Sequence, residues 1–128
     1  MKAFELESRL IDFASRVMDL AEALPQTFGA RHIASQIIRS ATSPALNYGE
    51  VQGAESREDF VHKMKICQKE LRETFVCLKL IEKRNWFPKG KLTAIIDENN
   101  ALISIFVASN KTAAASKTNP NRSPNRKS

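Results

Sequence analysis

From Phe60 to Ile81 the positions Phe60, Met64, Cys67, Leu71, Thr74, Leu78 and Ile81 step by four and three residues without interruption. An α-helix keeps such positions on one narrow stripe, the seam of coiled-coil-like packing. Ser56 supplies an N-cap, with Glu58 and Asp59 facing the positive end of the helix dipole. Trp86-Phe87-Pro88 ends the pattern. The predicted rod, from Ser56 to Asn85, is roughly 45 Å long at 1.5 Å per residue. Its seam can be buried only against partners of similar length.

Three other segments provide them. Leu6, Leu10, Phe13, Val17, Leu20 and Leu24 predict a helix over Phe4 to Ala23, stopped by Pro25, Thr27 and Gly29. A second starts near Ala30, with Ile33, Ile37, Ala41, Ala45 and Tyr48 inward, and ends at Gly49 and Gly53. Pro44 falls inside it, and proline removes a backbone hydrogen bond and crowds the preceding turn. The sequence therefore predicts a kink or break between Ser40 and Pro44, or two short helices joined by a turn. A fourth helix is predicted over Leu92 to Ser109. With no strand candidates and short links, the chain reads as all-α, an antiparallel up-and-down four-helix bundle over residues 1–110. Residues 111–128 hold Lys111, Lys117, Arg122, Arg126 and Lys127, no acidic residue and few apolar groups, so a disordered basic tail is expected there, apart from helical fraying through Ala113 to Ala115. The formal charge of +6 is largely that tail.

Several functional classes are disfavoured. No apolar run reaches the roughly 18 residues of a membrane span. The segment Met1 to Glu7 turns acidic without an apolar core, so no secretory signal is read and cytoplasmic location is expected. Cys67 and Cys77 are ten helical residues apart, about 15 Å, beyond disulfide reach, and read as small buried thiols. Glu70-Leu71-Arg72-Glu73 has the spacing but not the histidine of a carboxylate-bridged metal motif. His32 and His62 read as surface residues, and Trp86 and Phe87 as a cap on the core, with a hydrophobic partner site as the alternative. No nucleophile and base are paired in the pattern, so no enzyme, cofactor or small-molecule substrate is expected.

Residues Gln36, Arg39-Ser40-Ala41-Thr42-Ser43, Asn47 and Glu50, then Ser56, Asp59-Phe60, Lys63, Lys69-Glu70 and Glu73-Thr74, stand at spacings that resemble a known family. The chain is similar over residues 4–107 to bacterial four-helix-bundle proteins of the 23S rRNA intervening-sequence protein family, related to the accessory variability determinant of diversity-generating retroelements. It departs from their pattern at Pro44-Ala45-Leu46, Gly49-Glu50-Val51 and Phe75-Val76. The resemblance implies an up-and-down bundle, a ring-like homopentamer, and association with nucleic acid.

Two constellations stand apart from the core. Projected at about 100° per residue, Lys65, Lys69, Arg72, Lys79 and Lys83 fall between roughly 100° and 180° from Phe60. They form an outward row about 27 Å long, and only Glu58 shares the sector. Such a row can track a nucleic-acid backbone, with Arg122, Arg126 and Lys127 adding salt-sensitive attraction; the competing reading is an ordinary solvated face. Without interleaved aromatics, sequence specificity is expected to be weak. The second constellation comprises Arg39, Asn47, Glu50, Lys63, Glu70 and Glu73, on the flanks of the apolar stripes. Half-buried charges need partners, so these read as a network fixing helix register or closing a subunit interface. The expected function is a non-enzymatic homo-oligomer binding RNA or DNA. The alternative is an adaptor for a protein partner, such as a reverse transcriptase, without nucleic-acid affinity of its own.

Overall fold

The computed structural model describes residues 1–118, and within them four helices and no strand. They are α1 (Ala3–Glu22), α2 (Phe28–Val51), α3 (Arg57–Lys83) and α4 (Thr93–Thr118). Consecutive helices pack side by side, and α4 returns to α1 through the sparsest of the four interfaces. This is the up-and-down bundle that the seams predict, with α1 and α3 on one diagonal and α2 and α4 on the other.

Local chemistry starts the first three helices. The Glu5 carboxylate accepts the Lys2 backbone N–H at 2.7 Å. Thr27 caps α2, its hydroxyl accepting from the Ala30 N–H at 3.2 Å. At α3 the Ser56 hydroxyl accepts from the Asp59 N–H at 3.0 Å, while Asp59 accepts from the Glu55 N–H at 3.3 Å. Just past the end of α3, Asn85 takes a left-handed φ of 57°; asparagine tolerates that region better than most residues.

The core is continuous from end to end of the bundle. Leu10, Phe13, Val17, Ile37, Leu71, Leu78, Ile81, Leu102 and Phe106 are all buried, and Tyr48 meets the Phe106 ring edge-on with centroids 5.9 Å apart. Trp86 and Phe87 pack partly buried against one end of it, as their position predicts.

Two boundaries differ from the sequence expectation. Helix α2 runs unbroken through Pro44, which is buried. The missing bond, to the Ser40 carbonyl, costs about 3 kcal/mol in an exposed helix, but here the proline ring is fully buried in the bundle. Thr42 Oγ1 donates to the Ile38 carbonyl at 2.8 Å, and Cys67 Sγ donates from α3 to the Pro44 carbonyl at 3.5 Å. Helix α4 also continues past Ser109 to Thr118, beyond the fraying expected through Ala113 to Ala115. Once a helix exists, each added residue costs little, and Ala113 to Ala115 propagate it well. Arg57 helps by donating to the Ala113 carbonyl at 3.2 Å. The rest of the expected tail, residues 119–128, lies outside the described residues.

Both thiols are buried and unpaired, and burial pushes the Cys67 thiol up to about 12. It stays protonated and serves as packing. Replacing Leu71, fully buried at the centre of the seam, is a direct test of that core. Leu71→Ala is expected to lower stability by about 2–5 kcal/mol, read as a shift in the urea midpoint with the m-value unchanged.

Candidate nucleic-acid interface

Helix α3 turns its core stripe inward and presents the opposite side to solvent for most of its length. Lys65, Lys69, Arg72, Lys79 and Lys83 are all exposed on that outer side, as the projection predicts. Their charges are not equally free. Lys69 Nζ lies 3.7 Å from the Glu73 carboxylate and Lys79 Nζ 2.8 Å from Glu82. Glu73 and Glu82 thus reach into a sector where the projection placed only Glu58. Lys65, Arg72 and Lys83 have no acidic partner among the described residues. A shallow depression of about 880 Å³ crosses this face, bordered by Arg39, Lys65, Lys69, Arg72, Val76 and Asn110. Arg122, Arg126 and Lys127 lie outside the described residues.

The flanking polar residues form two clusters rather than one network. In the first, Arg39 of α2 reaches across to α3, its Nη1 donating to Glu70 at 3.0 Å and its Nη2 to Glu73. Glu70 is buried, and the guanidinium satisfies a carboxylate that would otherwise be costly there. In the second, Lys63 Nζ donates to Asp59 at 3.1 Å and sits 3.6 Å from Glu50, holding the α2–α3 turn. That bond draws the Asp59 carboxyl below its ordinary value and raises Lys63. Asn47 joins neither cluster. Its amide donates to the Ser43 carbonyl and hydroxyl, both at 3.0 Å, one turn back in α2.

Other polar contacts link residues distant in sequence and carry no local signature. Arg9 of α1 grips Glu98 of α4 with two bonds, Nε to Oε2 at 2.7 Å and Nη2 to Oε1 at 2.8 Å. Thr74 Oγ1 donates to Ser40 Oγ at 2.8 Å inside the α2–α3 interface. Asn99, fully buried, donates to the Leu71 carbonyl at 3.1 Å, while its Oδ1 has no hydrogen-bond partner among the described residues. Asn110 bridges the Met64 carbonyl and the Gln68 side chain across α3 and α4. Periodicity places Asn99 on the apolar side of α4 but is silent on what it meets.

Among the described residues no cluster of three or more His, Cys, Asp or Glu side chains is placed to hold a metal ion. Both histidines are exposed. No described helix is long and apolar enough to cross a membrane.

The model of the 23S rRNA-intervening sequence protein family matches residues 3–108, the whole bundle short of the last turns of α4. The chain belongs to that family. A solved structure from Bacteroides thetaiotaomicron VPI-5482, described as a protein with unknown function from the S23 ribosomal protein family, superposes with a TM-score of 0.78. It is 27% identical, and the match covers 87% of this chain and 99% of that one. No curated protein matches. Family membership therefore fixes the bundle and leaves the activity to be argued from this chain's surface.

The Arg9–Glu98 pair spans the sparsest interface, so its protonation bears on stability. Its bond with Arg9 holds the Glu98 carboxyl below the ordinary value of 4.5. A carboxylate depressed in the folded state contributes stability above its unfolded value, and that contribution disappears as pH falls through the folded value. Wild type is expected to lose stability faster than Glu98→Gln as pH drops below 4.5. Parallel urea midpoints for the two proteins across pH 3–6 would contradict this.

Proposed function

We propose that this protein is a non-enzymatic, cytoplasmic bundle that binds nucleic-acid backbone through the outer face of α3. The observation that carries the reading is the row of exposed cations in which Lys65, Arg72 and Lys83 have no acidic partner among the described residues. Unneutralised cations about 10 to 17 Å apart along one rigid helix present a fixed field that phosphates can answer without any reshaping of the protein. Arg84, Lys89 and Lys91 are exposed just beyond the C-terminal end of the row and extend its field toward α4.

Contacts of this kind read charge and not base identity, because phosphate contacts position a protein while base contacts specify. Affinity then comes from counterion release and falls steeply with salt. The family's description, which names an intervening sequence of 23S rRNA, agrees with a nucleic-acid context and does not select RNA over DNA. The adaptor reading is favoured by one separate feature, the large apolar side chains exposed on α1.

Replacing Lys65, Arg72, Lys79 and Lys83 with Gln is expected to weaken binding to heterogeneous RNA and DNA alike. It should also flatten the slope of log affinity against log salt, by about 0.7 to 0.9 per phosphate contact removed. Filter binding or fluorescence anisotropy across a salt series measures both. Equal binding by wild type and variant, or no binding by wild type at low salt, refutes the reading.

A further inference from the structure

Apolar side chains interrupt the cations on the outer face of α3. Arg72 and Lys83 bound the wider gap between cations that have no acidic partner among the described residues. In that gap stand Val76 and Leu80, 57% and 46% exposed, while Lys79 is held by Glu82. Val76 and Leu80 are one helical turn apart and project within about 40° of each other, so they make one apolar step about 6 Å long. A phosphate gains nothing from such a step, and its exposure contributes nothing to the packing of the bundle. Val76 also borders the depression of about 880 Å³, which the buried Ser40 and Cys77 line as well. Clefts of that size hold whole small molecules.

Arg39 lines the same depression from α2, with its side chain 49% exposed. Glu70 and Glu73 already neutralise it, so it is a poor phosphate ligand. Hydrogen bonds to a guanidinium run in its plane; these two fix the orientation of that plane and leave its flat faces for stacking. Glu73 is the one acidic residue bordering the depression, and Arg39 and Lys69 both engage it. A pinned guanidinium plane and an aliphatic surface in one concavity suit a flat ring of low charge.

We infer that this face takes single-stranded nucleic acid, with unpaired bases laid against Arg39, Val76 and Leu80 while Lys65, Arg72 and Lys83 hold phosphates. This rests on the backbone-binding reading and adds which form of nucleic acid fits. In a duplex the flat faces of the bases are covered by their neighbours, so neither the guanidinium nor the apolar step has anything to meet. An unpaired base offers such a face, and arginine planes stack on it. Stacking of this kind tolerates every base, because each has a π-face, so the selectivity is for strandedness and not for sequence. The free cations lie about 10 to 17 Å apart along the helix, so a strand reaches several of them and a lone nucleotide only one.

The test varies the bases and the apolar step while every phosphate and protein charge is kept. Its probes are oligo(dT), oligo(U), an abasic strand of the same length and a duplex, each about 20 nucleotides long, more than a single module covers. Val76→Ala with Leu80→Ala removes the step at exposed positions, with helicity checked by circular dichroism. At low salt wild type is expected to bind the two base-bearing strands about tenfold more tightly than the abasic strand. The variant is expected to lose most of that difference and to keep the wild-type affinity for duplex. Equal binding of abasic and base-bearing strands by wild type overturns the inference and leaves backbone binding standing. So does a variant that keeps the full difference, or one that weakens duplex and single strand by the same factor. Failure of wild type to bind any of the four probes refutes the backbone reading itself, and this inference with it.

Discussion

Every helix in this bundle is placed by reference to the α2–α3 interface. Its apolar part, with Ile37 and Ala41 on one side and Cys67 and Leu71 on the other, supplies attraction that is largely indifferent to sliding. Its polar part is not indifferent. The Thr74 hydroxyl meets Ser40 at 2.8 Å, and Arg39 must reach Glu70 and Glu73 together. A shift of α3 by one residue would rotate Glu70 out of reach and leave a buried carboxylate unpaired, which costs far more than the pair itself returns. Polar contacts thus select one register among several that hydrophobic burial would accept. With α2 and α3 locked, α1 and α4 each need only lay one apolar stripe into an existing groove, and Arg9 with Glu98 then closes the thin side between them.

Most of that architecture could be read before any coordinates. Four periodic stripes, Ser56 as a cap and short links leave few alternatives to a bundle, and the cations of α3 project outward because their stepping opposes the core. What sequence could not deliver has a common physical cause. Pro44 predicts a break from the local cost of a missing bond, yet its ring is buried in the bundle, a tertiary gain that local propensity does not contain. Asn47 sits at a flank that suits a network, but a closer acceptor one turn back satisfies its amide first. Arg9 and Glu98 are 89 residues apart, and no local pattern couples them. The neutralisation of Lys79 by Glu82 depends on rotamers, which a wheel drawn at fixed angles does not contain.

The candidate site was legible in a narrower sense. Charge sign and direction follow from stepping alone, whereas charge freedom follows from neighbours. Of five expected cations, Lys69 and Lys79 are already engaged, so the usable field is concentrated at Lys65, Arg72 and Lys83. Read from spacing alone, Ile11 and Met18 widen the apolar stripe of the first helix. Only burial separates Leu6 and Leu10, which face the core, from Phe4 and Ile11, which face away from it.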